Sequence, residues 1–100
     1  ENKPAVKLIL ETDFTKEIRI LMKKGQEMKE HQTPYPIVVE LLSGEIIFGV
    51  KGKEYEVKSG GLLTLSGGVP HYLLAKEESV IRLTISKLDT SERVEEVAKK

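Results

Sequence analysis

The chain has 100 residues, sixteen Lys and Arg balanced by sixteen Asp and Glu, two histidines and no cysteine. That length holds one hydrophobic core and one domain. Zero net charge without a basic stripe argues against nucleic acid as a partner, and the missing cysteines exclude disulfides, thiol nucleophiles and thiolate metal sites.

Hydrophobic residues make up 39% and charged residues 32% of the chain, a composition that folds rather than one that stays disordered. The longest apolar runs, such as Ile37 to Val39 and Leu62 to Leu63, are too short for a membrane span or a signal peptide. A soluble, cytoplasmic domain with no membrane contact is expected.

From the N-terminus, Ala5 to Leu10 is an apolar run that reads as a strand, and Glu17 to Lys24 alternates Ile18, Ile20 and Met22 against Arg19, Leu21 and Lys23. A segment with His31, Thr33 and two prolines follows. Ile37 to Leu42 is β-branched and apolar, a buried strand closed by Ser43 and Gly44. Glu45 to Val50 and Glu54 to Lys58 form a hairpin around Lys51, Gly52 and Lys53. Leu62 to Leu65 is the next strand, Gly67, Gly68 and Pro70 form a turn, and His71 opens the strand after it. Val80 to Ser86 alternates most regularly, with Ile81, Leu83 and Ile85 on its apolar side. The tail from Thr90 carries acidic residues early and lysines late, with Val94, Val97 and Ala98 at helical spacing, so a short helix is expected there. Short strands at intervals of roughly ten residues predict an all-β sandwich or barrel.

Two stretches have a more specific spacing. Gly25 is followed after five residues by His31, then Thr33, then after three residues Ile37, and after six more Gly44. Fifteen residues on, Gly60 is followed after five residues by Ser66, then Gly68, and after two more His71. This layout resembles the two motifs of the cupin superfamily, and is most similar to small single-domain cupins of the conserved-barrel type whose first motif reads H-x-T-P, here His31, Gln32, Thr33 and Pro34. The resemblance spans Gly25 to Ala75, with Ser66 in place of the second motif's proline and Ala75 in place of its asparagine. It implies a small antiparallel jelly-roll barrel over residues 1–100, with a short C-terminal helix, paired as a homodimer. Ala5 to Leu10 is the candidate contact, since an apolar strand at an edge invites pairing.

In that family two histidines and a glutamate of the first motif, with the histidine of the second, hold a divalent metal. Only His31 and His71 keep a ligand here; Thr33 offers a hydroxyl and Ile37 offers nothing. The resemblance sets both histidines on the inner wall, at the starts of neighbouring strands. Parity then turns Ile37, Val39 and Leu41 inward with them, and Leu73 with His71, while Glu40 and Tyr72 point out. The expected pocket therefore comprises His31, Thr33, Ile37, Val39, Leu41, His71 and Leu73, with an apolar lining and no assigned catalytic group.

That pocket suits a small, partly apolar molecule with no tightly bound cofactor. The alternative is a metal-dependent cupin enzyme, of isomerase or dioxygenase type, using a divalent metal on His31 and His71 alone. Ser66 lacks the strand-turn-helix setting of a nucleophile, and Gly67 and Gly68 lack the lysine and helix of a phosphate loop. All three read as turn residues.

Overall fold

The computed structural model describes residues 3–88 together with Val94, Glu95, Val97 and Ala98. Nine strands make up nearly all of it: β1 (Ala5–Glu11), β2 (Thr15–Met22), β3 (Glu27–His31), β4 (Ile37–Ser43), β5 (Glu45–Val50), β6 (Lys53–Lys58), β7 (Leu62–Leu65), β8 (His71–Ala75) and β9 (Ser79–Ser86). They form a five-stranded sheet in the order β1-β2-β9-β4-β7 and a four-stranded sheet in the order β3-β8-β5-β6. Every pairing is antiparallel. Every connection except β1–β2 and β5–β6 carries the chain from one sheet to the other. This winding is that of a jelly roll, and it brings residues distant in sequence onto facing walls.

Alternation decides which side chains meet between the sheets. Ile18, Ile20 and Met22 of β2, Ile37, Val39 and Leu41 of β4, and Ile81, Leu83 and Ile85 of β9 are buried. From the other sheet Met28, Ile46, Phe48, His71, Leu73 and Ala75 close over them. The β5–β6 hairpin turns through Lys51 and Gly52, both at positive φ (53° and 76°), while Val50 pairs with Lys53. That is the two-residue turn whose twist matches the flanking strands. Lys53 thus belongs to β6 rather than to the connection.

Strand β3 has no local signature. Its sequence, Glu-Met-Lys-Glu-His, holds one apolar residue and no β-branched one, so neither periodicity nor propensity marks it. It sits at the edge of its sheet, where the charged side chains of Glu27, Lys29 and Glu30 are exposed and blunt the edge. His31 accordingly ends a strand instead of opening one; His71 does open β8. Of the expected tail helix, Val94, Glu95, Val97 and Ala98 are described and have helical backbone, with Val94 and Ala98 buried against the core. The remainder of that expectation lies outside the described residues.

Candidate functional site

The two motif segments are tied together by backbone. Gly68 N–H donates to the Thr33 carbonyl at 2.7 Å. Gly67 lies against the Pro34 carbonyl so closely that a Cβ could not be accommodated there. Thr33 is buried, and its hydroxyl donates to the Tyr35 carbonyl at 2.8 Å. The Gly67–Gly68 turn therefore acts as a seat for the His31–Pro34 loop, which fixes where His31 leaves β3.

His31 reaches the inner wall through a bulge. Met28 pairs with Leu73 and His31 pairs with His71, so β3 advances three residues while β8 advances two. Residues three apart on a regular strand face opposite ways; the extra residue returns His31 to the same side as Met28. Directly opposed across the ladder, the two imidazoles have ring centroids 4.3 Å apart and planes tilted by 59°. Phe48 stacks on the other side of His71, with centroids 5.5 Å apart and planes at 17°.

The same local contact orients both rings. His31 Nδ1 lies 2.7 Å from the Lys29 carbonyl, and His71 Nδ1 lies 2.9 Å from the Val69 carbonyl. A carbonyl only accepts, so each Nδ1 carries the proton and each Nε2 is the ring's lone-pair nitrogen in the neutral form. Burial pushes the His71 imidazole below its ordinary pKa, and the bond to Val69 opposes this only in part. His71 is thus a neutral donor-acceptor group at pH 7, able to pass or accept a proton without standing as a permanent charge.

Both histidines, with Thr33, Ile37, Val39 and Leu73, line one small cavity between the sheets. The volume open to the centres of water molecules is about 30 Å³. That is room for one or two waters, since one needs roughly 10 to 15 Å³ on this measure. Leu41, expected in the same wall, is fully buried but packs deeper in the core, beyond the cavity. Parity places it on the correct face, yet one further step along β4 carries it past the cavity's end. Sequence patterning also misses wall residues from other strands, among them Ile20, Met28, Ile81 and Leu83, whose alternation marks burial but not which buried residues share a void. The tail contributes two more, Val94 and Val97.

The donor set does not fit a tightly held divalent metal. Two imidazoles converge, but the third and fourth family positions hold a hydroxyl committed to a carbonyl and a hydrocarbon. Among the described residues no three His, Cys, Asp or Glu side chains come together. Without a carboxylate no negative charge offsets the ion's loss of water. Glu40 lies one strand position from Val39 and pairs with Arg82 on the opposite face, away from the cavity. Among the described residues no helix is long and apolar enough to cross a membrane.

No family model and no curated protein matches the chain. Solved structures do. KdgF from Halomonas sp. superposes with a TM-score of 0.80 at 16% identity, covering 86% of this chain and 80% of that one. An RmlC-like cupin from Desulfovibrio desulfuricans gives a TM-score of 0.77 at 23% identity, over 84% of this chain and 82% of that one. A conserved protein of unknown function from Streptococcus pyogenes gives 0.77 at 23% identity, over 90% and 79%. Two sheets wound as a jelly roll, with a histidine pair inside and these likenesses over most of both chains, establish that this chain has the cupin fold.

Proposed function

We propose that the protein binds a small, partly apolar molecule between its sheets without a tightly held metal, as a soluble cytoplasmic module. The observation that carries this reading is the cross-strand pair His31–His71, set in a mostly apolar wall that includes Ile37, Val39 and Leu73. Two imidazoles on hydrocarbon supply orientation by hydrogen bonding, while the methyl surface supplies contact. Ile37 stands where the resembling family keeps a carboxylate, so a guest meets an apolar face there.

The test is a metabolite screen by histidine-ring NMR on the full chain, followed by calorimetric titration of any hit. Ile37→Ala is expected to weaken binding by about 1 to 3 kcal/mol through lost contact. His31→Ala and His71→Ala should each weaken it as well, non-additively because they share one site. Binding that ignores all three substitutions defeats the reading. The metal-dependent enzyme is the second reading, favoured by the same pair of rings; stoichiometric metal retained through dialysis by protein purified without nickel would establish it over the first. Restoring ligands by Thr33→His with Ile37→Glu is expected to raise zinc affinity by an order of magnitude or more.

A homodimer completes the proposal. β1 is an edge strand whose Leu8, Ile9 and Leu10 are exposed, beside an exposed Phe14. Such an apolar edge is normally covered. Sedimentation of Leu10→Lys is expected to show a monomer where the parent sediments as a dimer; equal masses for both would remove β1 as the contact.

A further inference from the structure

One part of the cavity's wall comes from the tail. Val94 and Ala98 are each 5% exposed and join the core, and Val97 packs against it. Val94 and Val97 stand in the same wall as His31, Thr33 and His71. Spaced at i, i+3 and i+4, these three small side chains lie on one side of a helical turn. Apart from Thr33, in the loop tied to Gly68 by a backbone hydrogen bond, the rest of the wall belongs to strands held by ladders of such bonds, β2–β9 and β4–β9 among them. Among the described residues the tail meets the barrel through two isopropyl groups and a methyl and joins no strand ladder, which holds it less firmly than a paired strand.

The size of the void bears on the same point. About 30 Å³ admits water but no organic guest, whereas pockets for small molecules run to roughly 300 Å³ or more. The strand walls widen only by breaking ladders, and the Thr33 loop is tied to Gly68, which leaves the tail turn as the wall element to move. We infer that the turn carrying Val94, Val97 and Ala98 is an intramolecular occupant of the pocket, and that a guest bearing a short branched aliphatic group and a neutral polar head enters by displacing it. The aliphatic part takes the place of the valine side chains, and the head meets His31 and His71. This rests on the proposed guest site at the histidines. An anionic head is disfavoured because no Lys or Arg stands among the described residues of the lining and burial disfavours the charged form of His71.

The experiment uses the full chain and the doubly substituted Val94→Ser, Val97→Ser chain, with isovaleramide as the probe. Isovaleramide is expected to shift the ring signals of His31 and His71 in both proteins and to bind the variant about tenfold more tightly, because less of that protein is self-occupied. Equal affinities with ring shifts in both proteins would overturn displacement and leave the guest site standing. Absence of ring shifts in both would count against the guest site, and a second arm then decides the tail by itself. Diethyl pyrocarbonate should modify His71 on the order of tenfold faster in the variant, since unplugging opens the ring to solvent. Equal rates would overturn the plug. Should the variant fail to fold, amide exchange of the parent decides the matter: tail amides as slow as those of β9 make the turn a fixed core element and defeat the inference, and tail amides exchanging orders of magnitude faster than β9 sustain it.

Discussion

Two parts of the space between the sheets are built from the same strands and behave differently. At one end Met22, Leu41, Ile46 and Ala75 are buried and none of them borders the histidine cavity. At the other, Ile37, Val39, His71 and Leu73, earlier or later on those same strands, border a void. Strands β4 and β8 pass from one regime to the other within a single inward step, from Val39 to Leu41 and from Leu73 to Ala75. An inward-facing residue is therefore not by its parity alone a site residue. What separates the ends is whether the opposite sheet supplies a side chain long enough to meet it, and at the histidine end that partner is a loop seated on glycines together with a tail turn.

The contrast is sharpest in core truncations. Leu41→Ala is expected to cost about 3 to 5 kcal/mol, because a fully packed site leaves a cavity that cannot collapse. Val39→Ala should cost about 1 to 2 kcal/mol, part of its surface already facing a void. Urea unfolding of both variants measures the difference, and equal losses would abolish the distinction between the two ends.

Next in size is Gly44→Ala at the filled end. Gly44 has φ of +97°, and a Cβ there would come within 2.7 Å of Ser79 Cα and closer still to Ser79 Oγ. Ser79 is buried and receives the Glu45 N–H at 3.2 Å, so it cannot withdraw cheaply. A loss of about 2 to 3 kcal/mol is expected. No comparable loss should follow Gly25→Ala, which meets nothing within 4 Å and bears only the backbone cost of its positive φ. Thermal denaturation of the pair checks this.

The smallest effect belongs to the histidine end and depends on pH. His71 has a folded pKa below its ordinary 6.5, so the unfolded chain binds the proton more readily. Stability from this group is complete above pH 6.5 and is lost as pH falls from there through the depressed folded value. Glu17 on the outer face of the five-stranded sheet behaves similarly in a lower window. Burial raises its pKa, but bonds from Thr84, Arg82 and Thr15 outweigh this and leave it lowered, so its contribution fades only below the ordinary carboxylate range. Urea midpoints of the parent should drop between about pH 7 and pH 5, and His71→Phe should flatten that slope while leaving the carboxylate region unchanged. A slope unaltered in His71→Phe would mean that His71 titrates as a solvated ring.

The order of residues alone settles the class of fold, most strand positions and the inward parity of Ile18, Ile20, Ile37, Val39, Leu73, Ile81 and Leu83, because a period of two is a local property of an extended chain packed on one side. Motif spacing likewise joins His31 to His71 without any geometry. The remainder follows from packing in three dimensions. Strand β3 exists because β8 offers it an edge, not because Glu-Met-Lys-Glu-His favours extension. The bulge that sets His31 opposite His71 depends on a register between two strands some forty residues apart, which no local pattern encodes. The boundary between Leu41 and the cavity, and the place of Val94 and Val97 in its wall, are likewise set by which side chains meet across the two sheets, a matter of volume in space rather than of order along the chain.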